Sequence, residues 1–306
     1  MIILLGENGQ VAREVRTAAA SQGIELRSIS SQEANFLEPE RVVDVLSEAP
    51  AGSVMINAAA YTQVDLAESD RDAAMQVNGY TPGAIAKVCA RRNCKLIQIS
   101  TDYVFPGDKQ GAYQEDDATG PLGVYGASKL LGEQQVLNNL DQSIILRTSW
   151  VFSAHGKNFV KTMVRLAADR DNLSVVADQI GGPTSAKSIA LTCLALADKI
   201  KGLPANSNLW GIYQYSGAPA TSWQGFAQEI FRQINLPIKV NGITTDQYPT
   251  PARRPANSIM NGRKLKDNFG IAQPDWIKDL IDVLDQLGLQ RATSPVKEGI
   301  PAIQSA

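Results

Sequence analysis

Two short stretches of this 306-residue chain carry side chains able to act together on a carbonyl group. One is Ser100-Thr101-Asp102-Tyr103; the other is Tyr125-Gly126-Ala127-Ser128-Lys129. Tyr125 and Lys129 stand four positions apart, so on a helix they share one face. A free phenol titrates near ~10, too high to exchange a proton readily at neutral pH. A fixed ammonium beside it favours the phenolate and brings the group closer to the range of a general acid. The hydroxyl of Thr101 or Ser100 would hold the substrate oxygen while charge develops on it. Of the eight tyrosines only Tyr125 has a lysine four residues on, which weighs against a chance pair on a helix surface.

These groups need elements that bring them together. The apolar run Leu96-Ile97-Gln98-Ile99 predicts a buried parallel strand that delivers the hydroxyls at its carboxyl end, where open α/β sheets keep their ligands. A helix is expected from the Tyr125 segment to about Leu137. At the start of the chain, Ile2 to Leu5 runs into Gly6-Glu7-Asn8-Gly9-Gln10-Val11-Ala12, and a helix pattern continues to Gln22. Strand, Gly turn and helix in that order fit the entry to a dinucleotide-binding fold. Gly6 lets the strand turn, Gly9 lets backbone amides approach a pyrophosphate, and Ala12 keeps the helix close to the sheet. The spacing is G-x-x-G-x-x-A, so this segment alone leaves a generic turn equally open.

The second strand, Ile24 to Ile29, passes through Arg27-Ser28-Ile29-Ser30-Ser31 with no acid before Glu33. Lacking the carboxylate that binds ribose hydroxyls in NAD sites, it points to NADPH, with NADH the second choice. Ser53 to Ile56 is a third strand, and the small residues Ala58, Ala59 and Ala60 after it let a ribose and nicotinamide lie against the backbone. One unbroken helix is expected from about Asp70 to Arg92, with Asn78 either at its surface or facing the site. Strands alternating with helices give the predicted class: α/β, a Rossmann-like doubly wound parallel sheet with a smaller C-terminal substrate-binding lobe. Residues 1–150 are expected to bind the dinucleotide and 151–290 to form the lobe, some of its elements returning to the sheet. Residues 291–306 are expected to be a disordered tail.

Composition excludes several classes. A formal charge of -2 leaves no basic field for nucleic acid. The single His155 excludes a His cluster, and Cys89, Cys94 and Cys193 lack metal-ligand spacing, so no metal site is expected. No apolar run approaches membrane length, and the first residues do not resemble a signal sequence; a cytoplasmic protein without a membrane partner is expected.

Eight blocks in order, LLGENGQVA, INAAAYTQVDLAE, ISTDYVFPG, YGASKLLGE, RTSWVF, NFVKTM, DQIGGPT and TPARRPANSIM, make the chain resemble the extended short-chain dehydrogenase/reductases. Within them it is similar to the branch that reduces dTDP-linked 4-keto-6-deoxy sugars. The resemblance implies reduction of dTDP-4-dehydro-6-deoxy-L-mannose at C4 to dTDP-L-rhamnose by NADPH. Tyr125 would donate the proton, Lys129 would tune it and bind the nicotinamide ribose, and Thr101 would polarise the carbonyl. Gly6, Asn8, Gly9, Gln10, Val11, Ala58, Ala59 and Ala60 would hold the cofactor, with Asn78 behind the site. Thr62, Val64, Asp102, Tyr103 and Trp150 would line the sugar pocket, and Arg253 would meet the diphosphate. Related 4,6-dehydratases carry Thr-Asp-Glu where this chain has Thr101-Asp102-Tyr103, so reduction without elimination is implied. Two positions depart from the relatives. Asn35 stands where many carry an Asp beside the adenine. Glu14 matches a magnesium-bridging glutamate of some dimeric members, but Ala186-Lys187 does not continue the match; a monomer or a homodimer without metal is implied. A non-catalytic dinucleotide-binding subunit like that of methionine adenosyltransferase, or a reductase of another nucleotide-linked 4-keto sugar, is the alternative.

Overall fold

The computed structural model describes residues 1–289, so the expected tail lies outside the described residues. The first half of the chain alternates strand and helix: β1 (Ile2–Leu5), α1 (Gln10–Ser21), β2 (Leu26–Ile29), α2 (Pro39–Ser47), β3 (Val54–Asn57), α3 (Arg71–Met75), α4 (Thr81–Arg91), β4 (Lys95–Thr101), α5 (Val124–Asn139) and β5 (Ser143–Thr148). Strands covered on both faces are apolar on both, which is why β1 and β3 are buried throughout and were legible as continuous apolar runs. Proline stands in the first turn of α2, where its missing N–H has no partner to lose.

All pairings in the main sheet are parallel, in the order β2-β1-β3-β4-β5, and the strand Gly211–Gln214 adds to β5 as the sixth. Chain direction across the sheet reverses between β1 and β3, so the ligand crevice of such a sheet opens at their carboxyl ends. One face is covered by α1 and the helix Ala186–Ile200, whose Ala12, Val15, Ala19, Ile189, Cys193 and Leu196 form one core. The other is covered by α2, α4 and α5, through Val42, Leu46, Ile85, Cys89 and Val136.

A third core, around Phe152, Val160, Phe226, Phe231, Trp276 and Leu280, belongs to the smaller lobe. The division between cores does not follow the chain: Tyr213, Leu265 and Phe269 pack with the main sheet although they come from its later half. The continuous helix expected over residues 70–92 is instead α3, a π-helical turn Gln76–Tyr80, and α4. The wider turn falls on Asn78, whose amide bonds outside the helix (below), a common setting for a π-bulge. Among the described residues no helix is long and apolar enough to cross a membrane.

Candidate active site

β4 ends at Thr101, and α5 begins beside it. A Cβ on Gly126 would lie 2.2 Å from the carbonyl oxygen of Tyr103, so the helix rests directly on the loop that leaves β4. The first turn of α5 is capped from far away in sequence: the Val124 amide donates to Glu68 Oε1 at 2.8 Å. Tyr125, in that turn, is thereby held beside the end of β4: the Thr101 hydroxyl acts on its phenol, and its ring meets Tyr103 edge-on at 5.6 Å. Burial pushes the Tyr125 phenol up to about 12, the Thr101 hydroxyl works against that rise, and the Asp102 charge adds to it.

Lys129 is buried one turn further along α5 and donates to the carbonyl oxygen of Ile99 at 2.7 Å. Burial pulls the ammonium down to about 8, against the charge of Glu133. The spacing of Tyr125 and Lys129 suggested an ammonium that lowers the phenol. In the folded chain one N–H of the ammonium goes to a strand carbonyl, and desolvation, which disfavours charge on either group, is the largest influence on both values. Asp102 is fully enclosed: Thr101 Oγ1 donates to its Oδ1 at 3.0 Å, its Oδ2 lacks a well-placed donor, and burial raises it to about 6.

The expected cofactor cradle lies at the β1/β3 crevice. Gly6 has φ +102, and a Cβ there would be 3.3 Å from the Ala59 nitrogen, so the two loops touch through backbone. The Ala58 amide donates to the Leu5 carbonyl at 3.0 Å, and the Ala59 amide to Asn57 Oδ1 at 3.1 Å; Ala60 is half-buried beside them. Gly9 caps α1 in an extended conformation, with no side-chain cap on that end among the described residues, which leaves amides for an anion. The Asn8 carbonyl accepts from Arg13 Nε, and Val11 packs under the loop into the core. Gln10 Oε1 accepts from Ser153 Oγ at 2.8 Å and Asn158 Nδ2 at 2.9 Å, so its side chain joins this loop to the smaller lobe. Asn78 is buried; its Oδ1 accepts from the Tyr61 amide at 2.8 Å, and its Nδ2 donates to the Tyr61 carbonyl and to Ser128 Oγ at 3.0 Å. It pins the loop after β3 to α5. At the end of β2 the turn folds Glu33 back, where its Oε2 accepts from the Ser30 amide at 3.1 Å and its Oε1 lies 3.8 Å from Arg27. An acid absent from the strand in sequence is thus present there in space.

On the other side of the crevice, Thr62 is exposed and Val64 half-buried. Arg254 forks onto Asp65, at 2.6 and 2.7 Å, and holds that carboxyl below its usual range. Arg253 is exposed and has no ion pair among the described residues. Of the two adjacent arginines, Arg254 is paired and Arg253 is not, among the described residues. Trp150 adopts φ +46, its indole stacks on Trp223 at 3.6 Å, and Gly181 leaves room for its edge. A bulky residue held in the left-handed region marks a constrained position. Sequence reasoning missed Trp223, Glu68, Asp65 with Arg254, and the buried pair Glu133–Arg147. Only the last left a signal, since Glu133 continues the four-residue spacing of Tyr125 and Lys129. Among the described residues no group of three or more His, Cys, Asp or Glu is placed to hold a metal; Glu14 faces His155 at 3.5 Å and Lys187 pairs with Asp282.

A parallel sheet of this order, a glycine crevice at its switch point, and a strand-borne threonine facing a Tyr-x-x-x-Lys helix define an extended short-chain dehydrogenase/reductase. More narrowly, residues 1–289 match the family described as RmlD substrate binding domain, and the chain belongs to that family. It is 43% identical over 284 residues to dTDP-4-dehydrorhamnose reductase of Burkholderia thailandensis, covering 90% of this chain and 95% of that one. A crystal structure of a dTDP-4-dehydrorhamnose reductase from Clostridium acetobutylicum superimposes with a TM-score of 0.87 at 33% identity, covering 94% of this chain and 99% of that one. The Bacillus anthracis dTDP-4-dehydrorhamnose reductase, solved in complex with NADP, gives 0.86 at 34% identity, covering 93% and 98%.

Proposed function

We propose that this chain reduces the C4 keto group of dTDP-4-dehydro-6-deoxy-L-mannose to dTDP-L-rhamnose, with NADPH as reductant and Tyr125 as proton donor. The observation that carries it is that the Tyr125 phenol and the buried Thr101 hydroxyl come together at the carboxyl end of β4. A phenol raised to about 12 is neutral at physiological pH, which is the form a reduction needs. It gives its proton to the C4 oxygen as that oxygen gains charge, while the Thr101 hydroxyl, turned from Asp102 Oδ1, would hold the oxygen in line. The Lys129 ammonium, on the same helix face, offsets the phenolate left behind and passes on a proton from the cleft. Asp102 lacks a second carboxylate beside it, since Tyr103 follows, so the site has no acid–base pair for elimination.

The cradle suits a dinucleotide. Gly6, Asn8, Gly9, Gln10 and Val11 at the head of α1 would face its pyrophosphate, and Ala58, Ala59 and Ala60 leave room for the nicotinamide ribose, with Asn78 behind them fixing that loop. When bound, NADPH supplies the hydride. Thr62, Val64, Asp102, Tyr103 and Trp150 would contact the sugar, and Arg253, exposed and without an ion pair among the described residues, would take the diphosphate through two parallel bonds. In this reading residues up to about 150 serve the dinucleotide and 151–290 the sugar nucleotide, and the enzyme works in the cytoplasm as a monomer or homodimer; three free buried thiols suit a reducing compartment.

Incubation of the purified chain with NADPH and the dTDP-linked 4-keto sugar tests the proposal. Oxidation of NADPH with stoichiometric dTDP-L-rhamnose is expected. No turnover, together with retained dinucleotide binding, would replace it with the non-catalytic reading.

A further inference from the structure

The face of α5 that carries Tyr125 and Lys129 has a third member. Glu133 is buried to 1% exposure, and the groups that bind it come from β4 and β5, the strands beside α5. Its Oε1 accepts from Ser100 Oγ at 2.5 Å and from Arg147 Nε at 2.9 Å; its Oε2 accepts from Arg147 Nη2 at 2.6 Å. Ser100 immediately precedes Thr101 on β4. Arg147 lies on β5, in register with Ser100, and is itself 2% exposed. Its remaining arm donates to the Glu115 carbonyl at 3.3 Å, and its guanidinium lies over the Phe105 ring at 4.9 Å, in the loop that leads from β4 to α5. Along the helix, then, Tyr125 meets Thr101, Lys129 meets the Ile99 carbonyl, and Glu133 meets Ser100.

We propose that the Glu133–Arg147 pair is a positioning device for the reaction: it fixes α5 lengthwise on β4 so that phenol, ammonium and Thr101 hydroxyl converge, and its carboxylate is the counter-charge of Lys129. An ion pair sealed in a core is a weak source of stability, because desolvation offsets most of its attraction. Here hydrogen bonds from the Ser100 hydroxyl and the Arg147 guanidinium to one carboxylate set the register of a helix against a strand, and the reacting groups sit one and two turns above. Lys129 has Tyr125 and Glu133 one turn away on its own helix; Arg147 of β5 stands on the Glu133 carboxylate, and the Asp102 charge acts on the Tyr125 phenol at the end of β4. Of these, Glu133 is the one that favours the ammonium against burial.

This inference rests on the proposed reductase activity, and wild-type turnover in the same assay separates failure of that activity from failure of the inference. The variants are Glu133→Gln, Glu133→Asp and Ser100→Ala. In the cofactor-free protein, the pH dependence of Lys129 acetylation by a trace of acetic anhydride, followed by mass spectrometry, reports the state of the amine without turnover. Glu133→Gln is expected to move that midpoint down by at least one pH unit and to carry the alkaline limb of kcat with it. Glu133→Asp, which keeps the charge but shortens the reach, is expected to keep the midpoint and lose about tenfold or more in kcat with little change in KM for NADPH. Ser100→Ala keeps the ion pair and is expected to fold, with a several-fold lower kcat at unchanged NADPH affinity. If Glu133→Gln fails to fold, the other two variants decide: wild-type kcat in both overturns the positioning role. An unmoved Lys129 midpoint in folded Glu133→Gln overturns the counter-charge role.

Discussion

The Lys129 ammonium donates to the carbonyl oxygen of Ile99 at 2.7 Å, two residues before Thr101 on the strand that Tyr125 faces. Its burial brings the amine down to about 8, below the unfolded value near ~10.4. Two opposite pH trends follow. The proposed reaction needs the ammonium, so kcat is expected to fall as pH rises through about 8. Stability moves the other way: between about 8 and ~10.4 the unfolded chain holds the proton and the native chain does not, so this group's contribution rises with pH. Parallel rate and unfolding measurements across that window check both; a rate that stays level to the upper end would contradict the assignment of Lys129.

Asp102 has the reverse linkage. Its folded value of about 6 lies above the unfolded one near ~3.9, so its stabilising share is present below the lower value and is lost as pH rises through about 6. At neutral pH the enclosed carboxylate is a cost. Asp102→Asn is expected to stabilise the protein by about 2–3 kcal/mol at neutral pH, with the gain vanishing below about pH 4, while kcat/KM falls. Denaturant unfolding of both proteins at the two pH values measures it.

Tyr125→Phe removes the proposed proton donor and little else, since the ring keeps its place against Tyr103. Turnover is expected to drop by roughly 10²–10⁴-fold with NADPH affinity unchanged. Calorimetric titration beside the rate assay distinguishes this from a folding defect.

Glu33 sits at the end of β2, 3.8 Å from Arg27, in the region where an adenosine ribose is bound in such folds. Its charge opposes a 2′-phosphate and neutralises the arginine that would welcome one. Glu33→Gln is expected to raise the ratio of kcat/KM for NADPH over NADH several-fold, and the ratio measured in both proteins is the check.

The two neighbouring arginines are expected to fail differently. Arg253→Ala, at an exposed site, should raise KM for the sugar nucleotide by tenfold or more with no loss of thermal stability. Arg254→Ala leaves Asp65 without its forked partner and should lower the unfolding temperature measurably. Equal effects of the two on KM would argue against separate roles.

The chain's order of elements was legible because buried parallel strands are apolar on both faces: Ile2–Leu5, Val54–Asn57 and Lys95–Thr101 stand out from the helices between them. The Tyr125–Lys129 pair was legible for a similar reason, since a helix turns a spacing of four into a shared face. Glu133 obeys the same rule, but nothing local reveals that Ser100 and Arg147 await it. Where Glu33 points, which arginine is free, and that Trp150 lies on Trp223 depend on contacts between segments far apart in sequence. The protonation of Tyr125, Lys129 and Asp102 depends on the same thing. Spacing along a chain fixes which side chains share a face, whereas the values at which they hold a proton come from how much water the surrounding elements exclude. Only the assembled sheet, helices and lobe determine that.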